Sequence, residues 1–191
     1  MCSGNKRQLD DFDQSSSSDA LDARRIVHHL HERLAVDEVS YWSLVSEGQA
    51  LAARRMAVSE SDASGASAPL QLSAEQCAGY FAATQATGLL ISQDALHDDR
   101  IAGTRQSYLV PSDIQAVLSI AVSVDAQPVA IISCAQRGRH RHWSASDVAV
   151  MQQLAADVAV DYGPRRKRRG STWRCRLLAL QRACLFESLS G

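Results

Sequence analysis

The segment Val117 to Val124 constrains the fold more tightly than any other part of the chain. Leu118, Ile120, Val122 and Val124 alternate with Val117, Ser119, Ala121 and Ser123. One face is wholly apolar and the other small and partly polar, which is the period-two signature of a strand lying on a core. Val129 to Ala135 follows after Asp125-Ala126-Gln127-Pro128, and two such runs joined by a short loop read as antiparallel neighbours. A second pair, Val39 to Val45 and Leu51 to Val58, flanks Glu47-Gly48, whose glycine suits a hairpin turn.

Helical signals surround these pairs. Ala23, Val27, Leu30 and Leu34 recur at helical spacing behind Asp19, a residue fit to cap, with Asp22 three positions on. Ser73 and Gln76 form a capping pair, with Leu72 ahead of them as an apolar staple, and predict a helix to about Thr84. Ser144 and Asp147 form another, opening a helix with Val148, Met151, Leu154, Ala155 and Val158 on one side. Between them, Thr87 to Ser92 reads as a short strand. The polar run from Asp94 to Arg100 then leads into a short helix ending near Tyr108-Leu109, with Pro111 marking a break. The order is helix, hairpin, helix, strand, short helix, hairpin, helix. Adjacent antiparallel strands with helices at both ends define an α+β fold, not a doubly wound parallel sheet.

At 191 residues and 46% hydrophobic content the chain can bury one real core, so one domain with tails is expected rather than two. Residues 1–18 are polar, with four serines in a row, and cannot repay the entropy of ordering; they are expected to be disordered. The folded unit is expected over residues 19–163, with a Ser/Ala/Gly loop from about Ser59 to Pro69. Residues 164–191 form a basic, Leu/Arg-rich tail. Before Pro164 there are 12 Lys+Arg against 20 Asp+Glu, a difference of −8; from Pro164 onward there are 8 against 1, or +7. No run approaches the ~18–20 apolar residues that cross a bilayer, and the first residues are too polar for a signal peptide. A cytoplasmic protein is expected. The five cysteines are odd in number and never spaced CxxC, so they read as free thiols rather than a zinc knuckle or disulfide framework.

In three stretches the sequence resembles the GAF family: Gly79-Tyr80-Phe81-Ala82-Ala83; Asp94-Ala95 with Asp98-Asp99-Arg100 and Tyr108-Leu109; and Trp143 ahead of the last helix. The resemblance implies a central antiparallel sheet of five or six strands. The N- and C-terminal helices would pack on one face, and short helices and loops on the other would enclose a ligand pocket, as in GAF/PAS-like folds. It also implies a sensory or regulatory module of signal transduction that binds a small molecule or a partner protein. No catalytic output domain is written in the chain and no enzyme activity is expected; the cofactor is left unknown. Chromophore-bearing relatives carry a cysteine beside a histidine in the pocket helix, and no Cys-His pair occurs here.

Trp42, Phe81, Asp94, Arg100, Tyr108 and Ser119 are the candidate ligand-binding residues, an aromatic and polar set able to line a small cavity. A few relatives are thiol enzymes that reduce free methionine sulfoxide, which makes Cys77 and Cys134 the alternative, catalytic reading. His28, His29, His31 and Glu32 share a helix but supply too few ligands for a metal site and read as a solvated face. The loop Arg137-Gly138-Arg139-His140-Arg141-His142 reads as exposed charge before Trp143. Exposed apolar residues on the terminal helices point to a homodimer. Five consecutive basic residues, Arg165, Arg166, Lys167, Arg168 and Arg169, suit weak, salt-sensitive binding to an anionic membrane surface or nucleic acid.

Overall fold

In the computed structural model, which describes residues 22–47, 50–60, 70–84 and 87–168, the predicted strand pairs join into one sheet. Its strands are β1 (Glu38–Glu47), β2 (Ala50–Glu60), β3 (Gln71–Leu72), β4 (Leu89–Ser92), β5 (Ile114–Val124) and β6 (Gln127–Arg137). The order is β3-β2-β1-β6-β5-β4, and every neighbouring pair is antiparallel. The two hairpins are therefore zipped edge to edge by β1 and β6, which pair from Glu38↔Ala135 to Ser43↔Ala130. This pairing of segments far apart in sequence makes one sheet from two local units.

The sheet carries a core on each face. On one side lie α1 (22–34) and α3 (Ala145–Arg168), where Val27, Leu30, Val39, Leu118, Ile132 and Met151 are all buried together. Each such side chain contributes about 1.5–3 kcal/mol by leaving water. On the other side lie α2 (Ala74–Thr84), a 3-10 turn (Asp99–Thr104) and a single π turn (Arg105–Leu109), burying Leu90, Ile101, Leu109 and Ile131. Both predicted capping boxes form. Ser73 N–H donates to Gln76 Oε1 at 2.8 Å and Gln76 N–H to Ser73 Oγ at 3.3 Å; Ser144 N–H and Asp147 N–H make the reciprocal pair on α3.

Several local expectations need correction. The β5–β6 connection is a two-residue turn, Asp125-Ala126, with φ of 52° and 60°, the left-handed pair that matches the twist of a hairpin. Pro128 is inside β6, opposite Ser123 at a register shift and beyond the end of the β1 pairing, where its missing N–H is tolerated. The short helix before Pro111 is a 3-10 turn running into a π turn rather than an α-helix. The strand β3 was unforeseen, since two residues carry no periodicity; Leu72 pairs with Ala53 as well as preceding α2.

Arg141, read from sequence as an exposed loop charge, instead ties α1 to α3. Its guanidinium donates to the carbonyls of Leu34 and Ala35 at 3.0 Å each, stacks 4.6 Å from the Trp143 ring and lies 3.6 Å from Asp147. These are the end carbonyls that a helix terminus leaves without an intrahelical donor. The loop from 61 to 69, residues 1–18 and the part of the basic tail from Arg169 onward lie outside the described residues. The backbone of α3 itself continues through Pro164 to Arg168. Among the described residues no helix is long and apolar enough to cross a membrane.

Candidate functional site

Between the sheet and its short-helix face lies a partly open cavity of about 50 Å³. Its floor is made by strand residues, among them Trp42, Ala53, Val117, Ser119, Ile131 and Ser133. Its roof is Cys77 and Tyr80 of α2, Ile101 and Thr104 of the 3-10 turn, and Tyr108 and Leu109 of the π turn. The roof elements are locked together by glycine. A Cβ on Gly79 would sit 2.5 Å from the Arg100 carbonyl oxygen, and one on Gly103 2.6 Å from that of Gln76. The two backbones touch reciprocally at places where any side chain would force them apart.

The cavity is largely apolar with a few hydroxyls, and most of these are already satisfied. Ser119 and Ser133 bond to each other across β5 and β6 at 2.7 Å. Thr104 donates to the Ile101 carbonyl, and the Trp42 indole N–H donates to Ser40 at 2.9 Å. Tyr108 donates to Glu38 Oε1 at 2.6 Å, while Arg137 donates to Glu38 Oε2 at 2.6 Å. Glu38 is fully buried, and that pairing with a cation and a phenol is what makes its burial tolerable. Burial, and then the Glu38 carboxylate beside it, push the Tyr108 phenol well above its ordinary pKa, so it stays protonated and donating.

Tyr80 differs from all of these. It is one of the residues around the same cavity, and its hydroxyl is buried with no hydrogen-bond partner among the described residues. Burial pushes its phenol up as well, with Cys77 alongside adding to the effect. A donor left without an acceptor in such surroundings costs about 1–3 kcal/mol, so the wall of the cavity holds a donor that no described residue uses.

The six candidates drawn from the sequence divide evenly. Trp42, Tyr108 and Ser119 line the cavity. Phe81 does not: it is half-buried on α2, edge-on to Tyr80 with ring centroids 5.5 Å apart. Asp94 lies on an exposed turn and binds His97 Nδ1 at 2.9 Å, the chief reason its carboxyl is held below the usual range. Arg100 sits outside the cavity, forked onto Asp98 at 2.6–2.9 Å and donating to the Ile91 carbonyl. Tyr80 and Glu38 were not singled out. Tyr80 stood inside a quoted motif, while Glu38 looked like the polar boundary of a strand, and only contacts 70 and 99 residues away reveal it.

The thiols do not form a catalytic pair. Cys77 belongs to the core on the cavity side and Cys134 to the core on the opposite face of the sheet. Cys134 lies 3.4 Å from the Met151 sulfur, and burial pushes its thiol up to about 12, which suppresses the thiolate that such chemistry needs. Among the described residues no group of three or more His, Cys, Asp or Glu is placed to hold a metal. His28 and Glu32 pair with each other at 3.4 Å on an exposed helix face.

A six-stranded antiparallel sheet with terminal helices on one face and short helices over a small hollow on the other is a GAF-like α+β architecture. The chain belongs to the GAF domain family, whose family model matches residues 23–161. No curated protein sequence matches it. Among solved structures it is similar to the PixJ GAF domain of Thermosynechococcus elongatus in its blue-light-absorbing form, with 16% identity, 91% of this chain and 92% of that chain covered, and a TM-score of 0.61. It is likewise similar to a GAF3 domain of Synechocystis sp. PCC6803 in a photoproduct state, at 16% identity, with 76% and 93% covered and a TM-score of 0.61. The chromophore-binding domain of a bacteriophytochrome from R. palustris matches at 12% identity and a TM-score of 0.61, with 76% of this chain and 56% of that chain covered.

Proposed function

We propose that this GAF domain is a sensory module whose signal is a small, uncharged, largely apolar molecule bearing a hydrogen-bond acceptor, held in the cavity under α2. The observation that carries this reading is the unused Tyr80 hydroxyl, a buried donor on a residue that lines a largely apolar hollow. Such a combination, mostly apolar walls with one or two directed polar groups, is how small-molecule sites gain orientation. A carbonyl or ether oxygen that reached the Tyr80 hydroxyl would satisfy it where no described residue does.

Size narrows the class. At about 50 Å³ the hollow holds a few water-sized groups, far below the ~300–1,000 Å³ of drug-sized sites. The chromophores of the photoreceptor neighbours would not fit a hollow of this size, and Cys77 has no adjacent histidine. A larger ligand would have to part α2 from the 3-10 turn at the Gly79–Gly103 contact, drawing on an open minority state. Output would pass through the sheet to α1 and α3, which are proposed to form the homodimer surface.

The test is native mass spectrometry of the full chain purified from cells, followed by a thermal-shift screen of small acceptor-bearing fragments. The expected result is a discrete retained mass, or fragments that raise the melting temperature and bind about 5- to 12-fold more weakly to Tyr80→Phe, the loss of one buried hydrogen bond. A bare mass together with no stabilising fragment would sink the reading.

A further inference from the structure

The opposite face of the sheet holds a second hollow, a groove of about 320 Å³ bounded by the start of α1, residues 154–162 of α3 and the strands β1 and β2. Ile26, Tyr41, Met56, Leu154 and Val158 give it an apolar floor. Asp22, Asp157 and Asp161 set three negative charges among its lining residues, against Arg25. The chain enters α1 beside it at residue 22, and α3 runs on past it from Tyr162 to Arg168, where residues 169–191 begin.

Charge distinguishes the possible occupants. Residues 1–21 carry 2 Lys+Arg against 4 Asp+Glu, the same sign as the groove. A second copy would bring the same acidic rim. Residues 169–191 carry 4 against 1, and Trp173, Leu177, Leu180 and Cys184 recur at intervals of four, three and four, the spacing of one helical face. Arg174 and Arg176 would flank that face, whereas Cys175 would point away from it.

We infer that residues 169–191 dock in this groove, the Trp173–Leu177–Leu180–Cys184 stripe on its apolar floor and Arg174 and Arg176 against its acidic rim. The contact is independent of the cavity under α2. It covers the two helices that would carry an output, so the basic tail acts as an internal partner of the acidic body.

The chain's own cysteines supply the test. Ser43→Cys in the full-length protein places a thiol in the groove, and a short bismaleimide would then join it to the tail within one chain. The expected product is a link to Cys184 in strong preference to Cys175, falling several-fold in about 0.5 M salt, where screening acts within a few ångströms, and when Asp157→Asn and Asp161→Asn are added. Asp99→Cys, in the exposed 3-10 turn on the other face, is the control. Equal linkage from Asp99→Cys, equal use of Cys175 and Cys184, links only between chains, or no link at all would each overturn the inference. Should Ser43→Cys impair folding, hydrogen exchange of the unaltered chain gives a separate reading. Amides of residues 22–26 and 154–162 are expected to exchange several-fold faster in high salt than in low, and no change would overturn the docking.

Discussion

Tyr80 and Tyr108 line the same cavity, and comparing them tests which hydroxyl is spent. Removing the Tyr108 hydroxyl takes a donor from buried Glu38, and Tyr108→Phe is expected to cost about 1.5–3 kcal/mol in urea unfolding. Tyr80→Phe removes a hydroxyl that has no partner among the described residues, so it is expected to leave stability unchanged or raise it. Equal losses from the two would show that Tyr80 is satisfied in the native protein. Asp98 makes a prediction about acid. Arg100, forked onto it, is the main cause of its lowered pKa. Its stabilising contribution is therefore complete above the ordinary carboxylate range and is lost as pH falls from there through the depressed value. Asp98→Asn is expected to flatten the decline of the urea midpoint as pH falls below the ordinary carboxylate range. An unchanged slope would remove Asp98 from the acid response.

The elements show two opposite uses of small residues. Ala126 occupies a turn position with φ of 60°, where its Cβ is unfavourable, and Ala126→Gly is expected to stabilise the hairpin by about 1 kcal/mol. Gly79→Ala would drive α2 into the Arg100 carbonyl and is expected to destabilise by about 1–3 kcal/mol, the usual cost of overpacking. Both are read from urea midpoints. A destabilised Ala126→Gly, or a neutral Gly79→Ala, would contradict the turn or the roof contact. The same elements show what the sequence discloses. The β5 alternation and the two capping boxes were legible because their physics is local, with partners within three residues of each other. The two-residue β3, the π turn and the Gly79–Gly103 contact were not, because each depends on a neighbour brought by folding. Half of the candidate site was legible for the same reason. Trp42, Tyr108 and Ser119 follow from strand faces and family spacing. The roles of Tyr80 and Glu38, by contrast, depend on what surrounds them after burial.

At the scale of the molecule, acidic body and basic tail govern association. Like charges around the groove disfavour a second copy there, so the proposed homodimer should use the outer faces of α1 and α3, where Val160 is 73% exposed. Light scattering is expected to show a dimer, with Val160→Glu shifting it toward monomer; a monomer at every concentration for the unaltered chain would remove the proposal. The closeness of the start of α1 to residues 157–162 of α3 has a further consequence for a body ending at Tyr162. A body whose entry and exit lie side by side is suited to circular permutation. Neighbouring helices pack about 8–10 Å apart, so a short linker joining the two ends should suffice, and new ends opened at the Asp125-Ala126 turn should leave the six-stranded sheet intact. By the same geometry, a host protein could accept the body in a surface loop without spreading that loop further than one helix spacing.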